Sequence, residues 1–410
     1  MQEFIKGGVI ILLFLSFDSY AQSAFTIYNT ENSDLPSNLV NTIYTDALEN
    51  KWIGTAGGLV KIDAVNVWTV FTTDNSGLPD NDIRSIFVDT DENLYVGTFF
   101  GGLAKYDGSV WQVYNAENSP VPDNFIRCIN KDMYDSLWVG TNAGLLKWDE
   151  ADDFYIYTID NSNLKSNNIT DIFIDDDNKK FLGTINGGLT TIDNGEVIYY
   201  RTENSTIGDN TVRSIAEDTA GNKWLATSFG GISIYTSAGA FLVFNTLNSD
   251  IPDPDVADLA LDENQICVLA MSYTGLSLFD NILWENLSTS NSLLPSDELN
   301  SVAIDSSQLI WLATETSGLV TLDRSAVEIN NQSENNIFLY PNPTDAFLII
   351  QTENAESSLT IQTFLGEIIQ QINLHSNQTV LDTKKIPEGN YLFTVRNNNE
   401  LFSKQIIIIH

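Results

Sequence analysis

Three of the six arginines in this 410-residue chain sit at equivalent places, Arg84, Arg127 and Arg213. Each follows an apolar residue that opens a strand-like run: Ile83, Ile126 and Val212. The same place elsewhere holds Asn41, Thr170, Ala257 and Asn300. A second set of equivalent places, in short turns, holds Phe99, Phe100, Asn142, Asn186, Phe229, Tyr273 and Glu315. Guanidinium groups beside aromatic rings suit recognition of a sugar acid or a peptide carboxylate, because the planar fork of donors matches a carboxylate edge. The competing expectation is that the arginines are spent on acidic neighbours such as Asp82, Asp123 and Asp209.

Other chemistry is thin. The two histidines are His375 and His410, so residues 22–323 contain none. That removes Ser-His-Asp hydrolysis, histidine metal clusters and histidine general bases from the main body. Neither a phosphate-binding Gly-x-x-x-x-Gly-Lys-Ser loop nor a His-Glu-x-x-His motif is present. No catalytic residue and no metal ligand is singled out. Carboxylates are abundant, so a paired-carboxylate glycosidase or a lyase stays open as an alternative. Asp152-Asp153 and Asp175-Asp176-Asp177 read as solvated turn charge. Acidity suits Ca²⁺, but no motif specifies it or any other cofactor.

The elements that must position these residues repeat. Variants of Trp52-Ile53-Gly54-Thr55 return at 95–98, 138–141, 181–184, 224–227, 268–271 and 311–314, at steps of 43 residues and once 44, with Val268 the smallest residue at the leading place. Asn-Ser pairs, such as Asn75-Ser76 and Asn118-Ser119, and single aspartates from Asp46 to Asp305 keep the same beat. The period is that of propeller blades. Each repeat reads as four strands. In the second these are 83–88, 94–98, 103–106 and 110–114, here lettered A to D. The aromatic heading strand B fills the wedge between blades. The recurrent Asp closing strand A accepts amide hydrogen bonds from the following turn. Residues 24–33 resemble a strand D with its crossover, and the seventh repeat lacks one. The N-terminal strand is therefore expected to complete blade 7 and remove the open edge. The expected fold is all-β, a seven-bladed propeller over residues 22–323. On such a ring the arginines converge on the mouth of the central channel. Cys128 and Cys267 fall in blades 3 and 6, too far apart for a disulfide.

The two ends differ. Residues 1–21 read as a signal peptide, with Lys6 before an apolar run from Val9 to Leu15, and Ser19 and Ala21 at the cleavage positions. No integral membrane segment is expected after its removal. The formal net charge is −36, of which residues 1–21 contribute −1 and residues 337–410 contribute −3. The acidic propeller argues against nucleic acid and anionic membrane as partners. Residues 324–336 are polar and Asn-rich, a linker. Residues 337–410 read as a small β-sandwich of short strands.

Two resemblances follow from these motifs. The tail resembles the type A C-terminal sorting domain of the Bacteroidetes type IX secretion system. It carries Leu339-Tyr340-Pro341-Asn342-Pro343-Thr344, then Leu365-Gly366-Glu367-Ile368-Ile369, then Ile386-Pro387-Glu388-Gly389-Asn390-Tyr391. Lys404 then leads into the closing isoleucines. That resemblance implies export across both membranes, contact with the secretion machinery, and release or attachment at the outer surface. The repeats, with Trp-Ile-Gly-Thr and Gly-Gly-Leu at 52–59, resemble two-component regulator propellers, although no kinase-length segment accompanies them. The expected function is an exported non-catalytic propeller that binds a glycan or an extracellular protein. A polysaccharide-degrading enzyme on the same face and a scaffold without a small ligand are the alternatives.

Overall fold

A computed structural model describes residues 25–149, 153–281, 283–324, 338–340, 347–352, 357–363, 368–376, 378–397 and 400–408. The signal segment and nearly all of the linker lie outside them, as do Pro341–Thr344 and Leu365–Glu367 of the tail motifs. The chain divides into two compact units, Met1–Val327 and Glu328–His410. Among the described residues every regular element is a strand.

Unit 1 is a propeller of seven four-stranded antiparallel sheets. Blade 3 shows the pattern: Ile126–Lys131, Leu137–Thr141, Leu145–Trp148 and Phe154–Tyr157, paired in that order. Strand B is buried along its whole length in blades 2 to 7, while strand D is the most exposed. The N-terminal strand Phe25–Tyr28 pairs with Leu319–Leu322, in register Phe25↔Leu322 to Tyr28↔Leu319, and completes blade 7. Trp311, Ala313 and Leu319 of blade 7 share one core cluster with Val40, Ile43 and Ile53 of blade 1. Apolar packing therefore continues across the seam between the first and last blades.

The recurrent aspartate does more than its turn requires. In blade 3 Asp132 Oδ1 accepts the amides of Tyr134 and Ser136, both at 3.0 Å, as the sequence implies. Its other oxygen accepts the Trp138 indole N–H at 2.9 Å and lies 3.2 Å from Lys180 Nζ of the next blade. The indole bond returns at Asp46–Trp52, Asp218–Trp224 and Asp305–Trp311, between 2.8 and 3.0 Å. Lys131–Asp89 and Lys51–Asp305 repeat the cross-blade ion pair, the latter across the seam. One carboxylate thus ties a turn, a wedge aromatic and a neighbouring blade.

Unit 2 has two antiparallel sheets. Phe338–Tyr340, Phe347–Gln351 and Gln378–Asp382 form one. Ile368–Leu374, Ser357–Gln362, Gly389–Asn397 and Glu400–Ile408 form the other. A single core takes Leu339, Leu348 and Leu381 from the first sheet and Leu359, Phe393 and Ile406 from the second. This is the sandwich arrangement expected for two amphipathic sheets.

Candidate functional site

Strand A of every blade lines one channel of about 400 Å³, which places the first strand innermost. In each blade the pairing of strands A and B slips at the second residue of strand A. The register jumps from Ile83 to Ser85, from Ile126 to Cys128 and from Val212 to Ser214, and likewise in the other four blades. The skipped residue has no partner across the ladder. A bulge of this kind bends the strand and re-aims one side chain. Here it does so seven times.

All seven bulge residues, Asn41, Arg84, Arg127, Thr170, Arg213, Ala257 and Asn300, line a single cavity of about 670 Å³. That lies within the usual range of ligand sites, about 300–1,000 Å³. The turns between strands B and C form the rest of the wall and are fastened to the crossover loops by backbone bonds. Phe99 N donates to Asp82 O at 2.9 Å, Ser228 N to Thr211 O at 3.1 Å, and Glu315 N to Glu298 O at 3.1 Å. The glycine ending each such turn is needed where φ is positive, for example +90° at Gly102 and +73° at Gly231. A Cβ at either would drive into a backbone carbonyl of strand D, Tyr114 O or Phe244 O.

The predicted residues divide. Asn186, Phe229 and Glu315 line the cavity beside the bulge residues. Phe99, Phe100, Asn142 and Tyr273 do not. Phe99 lies beneath Arg84, whose guanidinium is 4.7 Å from the ring centroid, and Phe100 packs edge-on against Phe99. Asn142 Oδ1 accepts Arg127 Nε–H at 2.6 Å. Tyr273 lines an adjoining cavity of about 330 Å³ with Glu298 and Glu315. Phe100, Phe229 and Tyr273 are all well exposed. Phe125, which the sequence pattern does not single out, lines the mouth and carries Arg127 at 4.4 Å from its centroid. Its one signal is its position, closing the crossover two residues before the arginine.

The arginines are not alike. Arg84 Nη2 donates to Asp82 at 2.8 Å, and its Nε is 2.7 Å from the other carboxylate oxygen. Asn41 Nδ2 donates to the same carboxylate at 3.0 Å. Arg213 Nη2 meets Asp255 at 3.0 Å, while its other nitrogens donate to Ser228 and Ser272. Pairing with Asp82 is thus as expected, but Asp209 is not the partner of Arg213. Asp209 instead accepts the Thr211 amide at 2.7 Å, an Asx turn that spends it locally. Asp123 likewise accepts the Phe125 amide at 2.6 Å and makes no ion pair with Arg127. Burial, with Arg84 close by, holds the Arg127 pKa below the ordinary arginine value. The group remains a cation at neutral pH.

The channel below the mouth holds two further carboxylates. Asp171 accepts the amides of Ile172 and, from the next blade, Ile215 at 2.7 Å. Asp258 accepts the Leu259 amide and then the Ser301 hydroxyl and Val302 amide of the next blade. Burial, offset in part by the Ile215 amide and reinforced by the Asp258 charge, pushes Asp171 up to about 7. Among the described residues no group of three or more His, Cys, Asp or Glu side chains is placed to hold a metal ion.

A seven-bladed ring with a polar mouth and an appended β-sandwich defines a class, and comparison with known proteins agrees with it. Residues 338–409 match the secretion system C-terminal sorting domain, and residues 77–100 and 120–143 match the two component regulator propeller. No curated protein matches the chain. Among solved structures it is similar to PorZ, an essential surface component of the type-IX secretion system of Porphyromonas gingivalis. That match has 17% identity and a TM-score of 0.57, and covers 91% of this chain and 60% of PorZ. It is also similar to the extracellular domain assigned to a hybrid two component system, BT3049, of B. thetaiotaomicron. There the identity is 19% and the TM-score 0.64, covering 94% of this chain and 57% of that one. The chain therefore spans about three-fifths of the length of either. Virginiamycin B lyase from Staphylococcus aureus matches at 15% identity and a TM-score of 0.57, over 73% of this chain and 98% of the lyase. At these identities the shared property is the propeller fold. The sorting domain marks the protein as secreted or attached at the outer surface. No helix among the described residues is long and apolar enough to cross a membrane.

Proposed function

We propose that this exported propeller is a non-catalytic binding module that takes a glycan at the mouth of its channel. The observation that carries this reading is the sevenfold bulge, which aims seven side chains into one cavity of about 670 Å³. Exposed Phe229 on the same wall gives an apolar surface for a sugar ring, beside donors and acceptors for its hydroxyls. Among the described residues that line the mouth, Glu315 is the single carboxylate, which favours recognition over two-carboxylate hydrolysis. The virginiamycin B lyase series includes a variant made catalytically inactive by replacing a histidine with alanine. Residues 22–323 of this chain have no histidine to serve in such a role. Secretion machinery is the expected partner of the sorting domain.

A second reading has one specific observation behind it: Glu298 and Glu315 share the adjoining cavity. A glycosidase would use that pair. The test of both is an oligosaccharide binding screen on the secreted chain, with and without Ca²⁺, following product release over time. Binding without turnover, weakened by Phe229→Ala, supports the module. Turnover abolished by Glu315→Gln replaces it with the enzyme. Absence of any glycan binding leaves a protein partner or a scaffold.

A further inference from the structure

The geometry points to Arg127 as a dedicated anion subsite of the mouth, one that selects a carboxylate-bearing sugar over its neutral homologue. This rests on the glycan reading above and narrows it. Arg84 and Arg213 are each neutralised by an aspartate, Asp82 and Asp255. Among the described residues Arg127 has no carboxylate within ion-pair distance, Asp123 acting on it only from farther off, in a chain of net charge −36. An acidic protein that leaves one half-buried guanidinium uncompensated at its central cavity has kept a cation where a ligand can reach it.

The neighbours hold Arg127 ready rather than consume it. Asn142 takes only the Nε–H, at 2.6 Å. Phe125 stacks on the guanidinium at 4.4 Å from its centroid and removes water from that side. Among the described residues neither terminal nitrogen of Arg127 has a hydrogen-bond partner, which leaves a complete two-pronged edge on a residue that lines the cavity. A carboxylate docks on such an edge with two parallel charge-assisted hydrogen bonds. Pre-orientation by Asn142 and Phe125 means little side-chain entropy is lost on binding. Across the mouth, the Glu315 side chain accepts Asn300 Nδ2–H at 3.0 Å. It opposes a second acid at that side, so the best ligand carries its charge at one end only.

The experiment compares glucuronate- and galacturonate-terminated oligosaccharides with their carboxyl-methylated and neutral homologues on the full secreted chain. The titration is followed by calorimetry and by the ¹⁵N resonance of Arg127 Nε. The acidic ligand is expected to bind about ten- to hundredfold tighter than its methyl ester, the worth of a hydrogen-bonded charge pair. Arg127→Gln should erase that preference, so that the acid and its neutral homologue bind with equal affinity. Arg127→Lys should restore part of it, which a merely structural arginine would not do. Unchanged urea midpoints for both variants exclude misfolding. Mouth-dependent binding without any preference for the acid overturns this inference and leaves the glycan module standing. Absence of all binding, with the Arg127 resonance unmoved by millimolar glucuronate, overturns both. A carboxylate preference that peptide C-termini reproduce and uronates do not also overturns the sugar assignment.

Discussion

Asp132→Asn is the sharpest test of how the ring is held. The side chain is buried and accepts four donors: two turn amides on Oδ1, and the Trp138 indole with Lys180 Nζ on Oδ2. Asparagine has the same shape, but whichever way it faces, its NH₂ meets two donors. Trp138 and Lys180 are only 2% and 5% exposed, so water cannot replace the lost acceptor. Breaking a buried charge pair from one side costs about 3–5 kcal/mol. Lys180 keeps one bond, to Asn178 O at 2.8 Å, which points to the lower half of that range. Even so, the loss is a large part of a typical folding stability of about 5–15 kcal/mol.

The assay is urea unfolding of the full chain, read as a change of midpoint at constant slope. Lys180→Met is the second variant. It removes the ammonium that Asp132→Asn strands, so the double variant should be more stable than the sum predicts by at least about 1 kcal/mol. Additive effects, or a loss below about 1 kcal/mol for Asp132→Asn alone, would refute the clamp. Its pH signature has a definite sign. Burial works to raise the Asp132 pKa, but bonds from Trp138 and Lys180 outweigh it and hold the carboxyl below its ordinary value. The stabilisation is present above the unfolded-state pKa of about 3.9 and is lost as pH falls through the lower folded value. Asp89, Asp218 and Asp305 are depressed in the same direction and should contribute to the same acid transition.

Asp171 should behave oppositely. Its folded pKa, pushed up to about 7, makes its contribution greatest below the unfolded carboxylate value and lost as pH rises through 7. Carboxyl ¹³C titration should show a midpoint near neutrality that moves down in Asp258→Asn; an ordinary acidic midpoint would refute it. Gly97→Ala should cost about 1–3 kcal/mol in urea unfolding by overpacking. Its Cβ would drive into Ser85 Oγ of the same blade and lie 2.7 Å from Ile126 Cγ2 of the next, and a neutral result would refute tight packing at this point.

The repeat made the fold legible because each marker has a job that recurs with the blade. The turn aspartate and the final turn glycine meet the same kind of neighbour seven times, and an aromatic fills the wedge in six blades, with Val268 in the remaining one, so one explanation serves nearly all. Even the closing strand was readable, from a repeat that lacked its fourth strand. Pairings between blades were not readable. Nothing local in Lys180 says that it reaches Asp132, because the contact belongs to the angle between two sheets. The mouth divides along the same line. Its bulge residues were visible as a column whose chemistry varies while the framework stays constant. Which arginine is free was not visible, because the acid that counts stands two residues before a bulge position: Asp82 pairs within its own blade, Asp255 reaches Arg213 from the next blade, and blade 3 has Phe125 at that place. Only the fold shows Asp82 clasping Arg84 while Asp123 turns back onto the Phe125 amide. Asp80 and Asp209 make the same turn onto Asp82 and Thr211, so the charge of the site follows instead from Phe125 standing where blade 2 has Asp82. Had Asp123 swung to Arg127, all three guanidinium groups would be neutralised and the mouth would offer a ligand only polarity. With Phe125 in the place of Asp82 and Asp123 held by its own backbone, Arg127 is, among the described residues, the one arginine of the mouth without an ion pair.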